Sequence, residues 1–354
     1  MKKFILTSLA LALVVNTTFA APKPLSIKKQ GVFASGGSVT EPLSVNGNNK
    51  YDETTNWMST TREGNTAHVD HANVLYQIPA KEKASPVVFL HGYGQTRTGW
   101  MTTPDGREGW SDMALRNGRS VFLVDQPRRG EAGTAVKMTS GFPDVKADDP
   151  LSYLPGDQAW YTHFRIGRVA PDRYEGSQFP VGDEAQNQFF RQMTVNAGEY
   201  DEKLFGESLT AVLSDANKIT GKKLVYITHS QGGRVGWQTD VENMAALIAV
   251  EPGGTPVVGS EEYKKFLDAK IPMVIIFGDN IDNGPEDIKS TAFWKGVRDM
   301  ALDFAEHYNA DGGYAEVWDL PKLGITGNSH FMFQEMNNQQ IWDLIENWLK
   351  VRKL

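Results

Sequence analysis

Not one cysteine occurs in the 354 residues. Disulfides, thiolate-ligated metal centres and lipid attachment through a Cys thiol are thereby excluded, and stability has to come from packing. Long apolar runs are equally scarce. After Phe4 to Val15, no segment reaches the roughly 20 residues that a bilayer-spanning helix needs. Positive charge is also in short supply: the formal net charge is −7, and −9 without Lys2 and Lys3, which argues against nucleic acid or an anionic membrane surface as partner. No internal repeat or low-complexity tract is present. What is there is ordinary globular composition and enough length for one large α/β domain or two small ones.

The first 20 residues have the form of a bacterial export signal. Lys2 and Lys3 precede the apolar run, and Thr18-Phe19-Ala20 supplies small residues for cleavage. The expected mature chain, 21–354, is therefore exported, periplasmic or secreted, with no membrane anchor after cleavage.

Strand and helix patterns alternate through most of the chain. Pro86 to His91 and Ser120 to Asp125 are continuous apolar runs stopped by Gly92 and Pro127, as expected of strands buried on both faces of a parallel sheet. Between them, Gly109 to Asn117 fits a crossover helix, which completes a βαβ unit. Further strands are expected at 72–79, 223–228, 246–250, 273–277 and 314–318, with helices at 202–219, 233–243, 261–268, 293–308 and 339–351. This pattern predicts an α/β fold with a mostly parallel central sheet and helices on both faces. Residues 129 to about 195 break the rhythm and are rich in aromatics, including Trp160, Tyr161, Phe164 and Phe189. Such a long insertion suits a cap over the carboxyl ends of the strands.

Thr228-His229-Ser230-Gln231-Gly232 sits where a buried strand gives way to a helix. A strained turn there would lift the Ser230 hydroxyl out of the sheet, and small residues two before and two after it are needed because the backbones pass closely. Thr228 stands where Gly is usual; Gly232 keeps the second position. The helix N-terminus would favour negative charge, so the Gln231 backbone N–H becomes a candidate oxyanion donor. The Tyr93 N–H, in His91-Gly92-Tyr93-Gly94 after the first central strand, is the candidate for the second. An Asp nucleophile of the dehalogenase kind is excluded by Ser230.

With this elbow the chain order is Ser, acid, His, so the base must lie after the last strand. Of seven histidines, only His307 and His330 come late enough, and His307 falls within a helical pattern. His330, at the end of a Gly-rich loop, is the candidate base. Three carboxylates end strands: Glu251 before the rigid Pro252-Gly253-Gly254, and Asp279 and Asp282 after the next strand. Residue spacing favours Glu251 and leaves Asp279 as the alternative acid, with Asp282 third. The acidic loop containing Asp279, Asp282, Glu286 and Asp287 lacks the spacing of a calcium loop and reads as solvated. The chemistry needs neither metal nor organic cofactor.

Several segments together resemble one family. They are Leu90-His-Gly-Tyr-Gly-Gln-Thr96, Trp100, Thr103-Pro-Asp-Gly-Arg-Glu-Gly-Trp110, Val124-Asp-Gln-Pro127, His229-Ser-Gln-Gly-Gly233, Val250-Glu-Pro-Gly253 and Gly327-Asn-Ser-His330. The chain is similar here to the exported bacterial esterases of the α/β-hydrolase superfamily that use a Ser-His-Glu triad. The resemblance runs from about Gly31 to the C-terminus and is weakest across 135–195. It implies the α/β-hydrolase fold, Ser230 as nucleophile, Glu251 as acid, His330 as base and a small-molecule ester as substrate. The chain departs from the family where Arg128-Arg129 intervene between Asp-Gln-Pro and Gly130. The same triad would serve a lactonase, thioesterase or amidase, and a non-catalytic ligand-binding protein on this fold is the alternative of a different class. Nine tryptophans suit a core, a pocket or a homodimer interface equally.

Overall fold

A computed structural model describes residues 23–42, 44, 47–52, 54, 63–133, 152–153 and 156–354. The expected export signal and residues 134–151 of the insertion lie outside the described residues. The main sheet has eight strands: β1 (Ile27–Val39), β2 (His68–Pro79), β3 (Val87–Leu90), β4 (Val121–Asp125), β5 (Leu224–His229), β6 (Met244–Val250), β7 (Met273–Phe277) and β8 (Ala315–Asp319). Their order across the sheet is β1-β2-β4-β3-β5-β6-β7-β8. β2 runs antiparallel to both β1 and β4, and the pairings from β4 to β8 are parallel. This is the α/β-hydrolase architecture that the resemblance implies.

The apolar runs become central strands because both of their faces are covered. In β3, Val88 and Leu90 enter one core while Val87 and Phe89 enter the other, and β4 divides its residues in the same way. The first core is closed by α4 (Glu202–Thr220), α5 (Gln231–Gln238), α6 (Glu261–Asp268) and α7 (Lys289–Ala310), and the second by α1 (Trp110–Arg116) and α8 (Asn338–Val351). Helix α4 illustrates the local logic. Asp201 caps its start by accepting from the Leu204 N–H, Gly221 ends it in the left-handed region, and Phe205, Leu209, Val212, Leu213 and Ala216 form its buried stripe.

Three expectations need correction. β1 precedes every strand expected from the sequence. As a largely exposed edge strand rich in Lys, Gly and Ser it carries no apolar run, and its register with β2 supplies the order. The same pairing extends β2 back to His68. Helix α5 spans 231–238 rather than 233–243, because Thr239 turns extended and the chain enters β6 at Met244.

Within the insertion, α2 (Asp157–His163) and α3 (Asp183–Arg191) form with short antiparallel pairs at Gly167–Val169/Asp172–Arg173 and Ser152–Tyr153/Asn196–Ala197. Its rings pack as a continuation of the second core, with Trp160 against Phe189 and Phe331. It is bonded to loops at the carboxyl ends of four strands: Thr194 N–H to Gly94 O, Ala197 N–H to Arg128 O, Gln178 N–H to Gly327 O, and Arg165 Nε–H to Asp279 O. Of the eight described tryptophans, all but Trp318 are buried within the chain itself.

Candidate active site

Ser230 follows β5 directly and opens α5. Its backbone is held at φ 54° and ψ −121°, a strained conformation for a residue with a side chain. The surroundings over-determine that turn: Ser230 N–H donates to Val250 O (3.1 Å), while Ser230 O accepts from the N–H groups of Gly233 (2.9 Å) and Gly253 (3.0 Å). A Cβ on Gly232 would lie 2.3 Å from His91 O, so the small residue two after the serine is required by backbone contact. Thr228 fits two residues before it because α5 gives way instead: a Cβ on Gly236 would stand 3.1 Å from Thr228 Cγ2.

The turn after β3 lies against the serine. A Cβ on Gly92 would come within 2.7 Å of Ser230 Cβ, which brings the backbone of Tyr93 to the same end of the sheet. Gln95 ties this turn by accepting from Gly92 N–H (3.0 Å). Behind it, burial pushes the His91 pKa down to about 4, and Asp125 only partly opposes the shift. The neutral ring accepts from Gln126 N–H at Nε2 (3.3 Å), so Nδ1 donates to Gly92 O (2.8 Å). Gln231 is the first residue of α5, where backbone N–H groups have no intrahelical acceptor.

His330 and Glu251 meet although 79 residues separate them. Glu251 follows β6 at φ 46°, is fully buried, and is pinned by its own N–H to Ile276 O (2.8 Å). Its Oε2 lies 3.1 Å from His330 Nδ1. Its Oε1 accepts from Gly278 N–H (2.6 Å) and from Arg165 Nη2 (2.5 Å). Burial raises the Glu251 pKa, but the charge of Arg165 and the bonds from His330 and Gly278 outweigh it and hold the carboxyl below its usual range. The His330 pKa is lowered, by burial first and by Arg165, against the pull of Glu251. Its Nε2 makes no hydrogen bond within the described residues.

The His330 ring is fixed by stacking on Phe164 (4.6 Å between centroids, 12° between planes) and by Trp294 at 4.4 Å. His229 anchors the backbone beneath it. Burial pushes the His229 pKa well down, and since the His330 carbonyl can only accept, Nε2 of His229 donates to it (2.9 Å). Two carboxylates hold the loop itself. Asp279 accepts from Gly327 N–H (2.7 Å) and Asn280 N–H (2.7 Å), and Glu335 accepts from Ser329 N–H (2.9 Å) and Asn328 Nδ2 (2.8 Å).

The other candidates lie apart. Asp282 forms a two-pronged pair with Arg298 (2.6 and 2.7 Å), and Asp287 pairs with Arg168. His307 is exposed on α7 and His163 exposed at the end of α2. Arg128 and Arg129 fold inward over the Phe205 ring, and Arg128 also bonds Asp70 (2.7 Å). Sequence reasoning missed Arg165 and Glu335. Glu335 follows the histidine closely but stands in a loop with no readable pattern, and Arg165 lies in the aperiodic insertion.

No family model matches the chain. It is 28% identical over 313 residues to the protein named "Probable secreted lipase phiG" from Fungal sp. (strain ATCC 74256), covering 75% of this chain and 81% of the relative. A solved structure described as that of a novel bacterial esterase at atomic resolution is 31% identical. It superposes with a TM-score of 0.75 over 94% of this chain and 98% of that one.

Proposed function

The chain belongs to the family of bacterial esterases of α/β-hydrolase fold, and from that premise we propose that it cleaves carboxylic esters through an acyl-enzyme on Ser230. The Ser230 hydroxyl attacks the ester carbonyl carbon and its proton passes to His330 Nε2. The oxygen of the tetrahedral intermediate takes its negative charge against the backbone N–H groups of Gln231 and Tyr93. Collapse breaks the bond to the leaving oxygen, which receives the proton from His330 and departs as the alcohol. Water then repeats the sequence on the acyl group, with His330 again taking the proton, and the acid is released. Glu251 fixes the His330 tautomer and balances the imidazolium that forms.

The observation that carries this reading is the buried contact between His330 Nδ1 and Glu251 Oε2 at 3.1 Å, made from the end of β6. It directs the proton to Nδ1 and leaves Nε2 as the basic nitrogen. Among the described residues no helix is long and apolar enough to cross a membrane. Export of the mature chain is part of the proposal, supported by the sequence of residues 1–20 and by the name of the fungal relative. The insertion is read as a cap supplying apolar walls, supported by its bonds to the loops at four strand ends.

Pre-steady-state hydrolysis of p-nitrophenyl acetate tests the chemistry. Wild-type protein should release about one equivalent of p-nitrophenol per active site in a burst, and Ser230→Ala should lose both burst and turnover. Turnover retained by the variant refutes the assignment.

A further inference from the structure

The insertion sets three consecutive residues against the proposed triad and the Trp294 ring beside it. Trp294 Nε1 donates to His163 O (2.9 Å), Phe164 O accepts from His330 N–H (3.0 Å) while its ring stacks on the imidazole, and Arg165 reaches the acid. Arg165 follows α2 at φ 64°, and its side chain is only 3% exposed. Its guanidinium lies over the Trp294 ring (5.3 Å), with Nη2 on Glu251 Oε1 (2.5 Å) and Nε on Asp279 O (2.9 Å). The fork therefore spans the loop ends after β6 and β7.

We infer that Arg165 is a positioning residue for the hydrolysis: supplied by the insertion, it holds Glu251 ionised with Oε2 turned to His330, so the triad is competent only while that segment is docked. The inference rests on the function proposed above. A glutamate has one more rotatable bond than an aspartate, and a buried one needs its free oxygen occupied to keep the other fixed. Arg165 and Gly278 together occupy Oε1. Burial of a carboxylate against a single histidine would also favour its protonation, and the guanidinium opposes that.

Arg165 acts on His330 as well, in the opposite sense to Glu251. Glu251 bonds the imidazole and Arg165 bonds Glu251, neutral His229 lies 4.4 Å away, and the Phe164 and Trp294 rings are uncharged. The Asp279 carboxylate and the Glu335 carboxyl, whose pKa burial raises to about 7, are engaged with loop N–H groups beneath it. Arg165 lowers the pKa of both Glu251 and His330. Without it, the coupled pair takes up its first proton at higher pH, and with that proton on either residue the base is lost.

The test is the pH profile of kcat/KM for p-nitrophenyl acetate with Arg165→Met and Arg165→Lys. Arg165→Met should lower kcat about a hundredfold with KM little changed, and should move the acid limb upward by about one pH unit. Arg165→Lys keeps the charge but not the fork, so its limb should stay in place while kcat falls. In a Glu251→Gln background, the rate of fluorophosphonate labelling should change less than about threefold on adding Arg165→Met, since the residue it acts through is gone. A uniform loss at all pH values with an unmoved limb, or losses that multiply in the double variant, would overturn the inference. If Arg165→Met does not fold, wild-type kcat in Arg165→Lys overturns it equally. Normal labelling of wild-type Ser230 with an unmoved Arg165→Met limb sinks this inference alone, whereas absence of labelling at Ser230 sinks the proposed function and this with it.

Discussion

Glu251→Gln is the most informative single change, because the two oxygens of Glu251 do different work. Oε1 accepts from Arg165 (2.5 Å) and Gly278 (2.6 Å), and Oε2 faces His330 Nδ1 (3.1 Å). Glutamine has the same shape but only one oxygen. If that oxygen stays with Arg165 and Gly278, the amide NH2 donates to Nδ1 and drives the imidazole proton to Nε2, where it blocks removal of the Ser230 proton. If the amide turns over, its NH2 confronts two donors. A wrong tautomer in a serine triad costs about 10⁴-fold in kcat. The substitution also leaves Arg165 buried beside a neutral group, a loss on the order of 3–5 kcal/mol in stability. Asp279→Asn is the matched control. Its half-buried carboxylate accepts two loop N–H groups, whereas the His330 Nδ1 partner is Glu251, so losing one bond costs about 1 kcal/mol. Turnover should then fall by no more than about tenfold. Steady-state hydrolysis of a p-nitrophenyl ester and urea unfolding read both quantities. If Asp279→Asn loses the larger factor and Glu251→Gln stays within tenfold of wild type, the acid belongs after β7 and this reasoning fails.

Burial and charge set three further expected outcomes. The lowered pKa of His330 keeps its ring neutral below the ordinary value of 6.5, so with His330 as the proposed base the acid limb of kcat/KM should lie under pH 6.5; a limb above 7 contradicts the environment described. Glu335 is fully buried, which pushes its carboxyl from 4.5 up to about 7 against the bonds from Ser329 and Asn328. The folded chain therefore holds a proton that the unfolded chain has released, and this group's contribution to stability should fall as pH rises from about 4.5 through 7. At about 1.36 kcal/mol per pH unit, the change is on the order of 3 kcal/mol. Glu335→Gln should flatten that slope in denaturation curves taken between pH 5 and 8, and an unchanged slope assigns it elsewhere. Gly232→Ala places a methyl 2.3 Å from His91 O. It should cost about 1–3 kcal/mol in unfolding free energy and reduce turnover by displacing the Ser230 turn, so a variant with wild-type values would show that the backbones can part freely.

The central sheet was legible because its strands are buried on both faces. Val87 to Leu90 and Met273 to Phe277 are apolar without interruption, and the observed spans of these two differ from the expected ones by no more than a residue at either end. β1 was not legible, since an edge strand with Lys28, Lys29, Gly36 and Gly37 is specified by its partner rather than by its own pattern. The strand-to-helix turn at Ser230 could be read because its requirements are local. Even the irregular Thr228 has a local answer in Gly236, one helical turn into α5. The pairing of His330 with Glu251 depended on chain order and on the rigid turn after Val250, both visible in one dimension. Arg165 was hidden for the opposite reason. Its contacts at Glu251 and Asp279 lie 86 and 114 residues away, and nothing around it repeats with a period that could orient its side chain.

Stoichiometric labelling decides whether Ser230 is the nucleophile. Wild-type protein treated with a fluorophosphonate should gain one adduct, located on Ser230 by peptide mass spectrometry, with hydrolysis of the p-nitrophenyl ester lost in proportion. Ser230→Ala should gain none. An adduct on another serine, or full esterase activity after Ser230 is modified, would contradict the account.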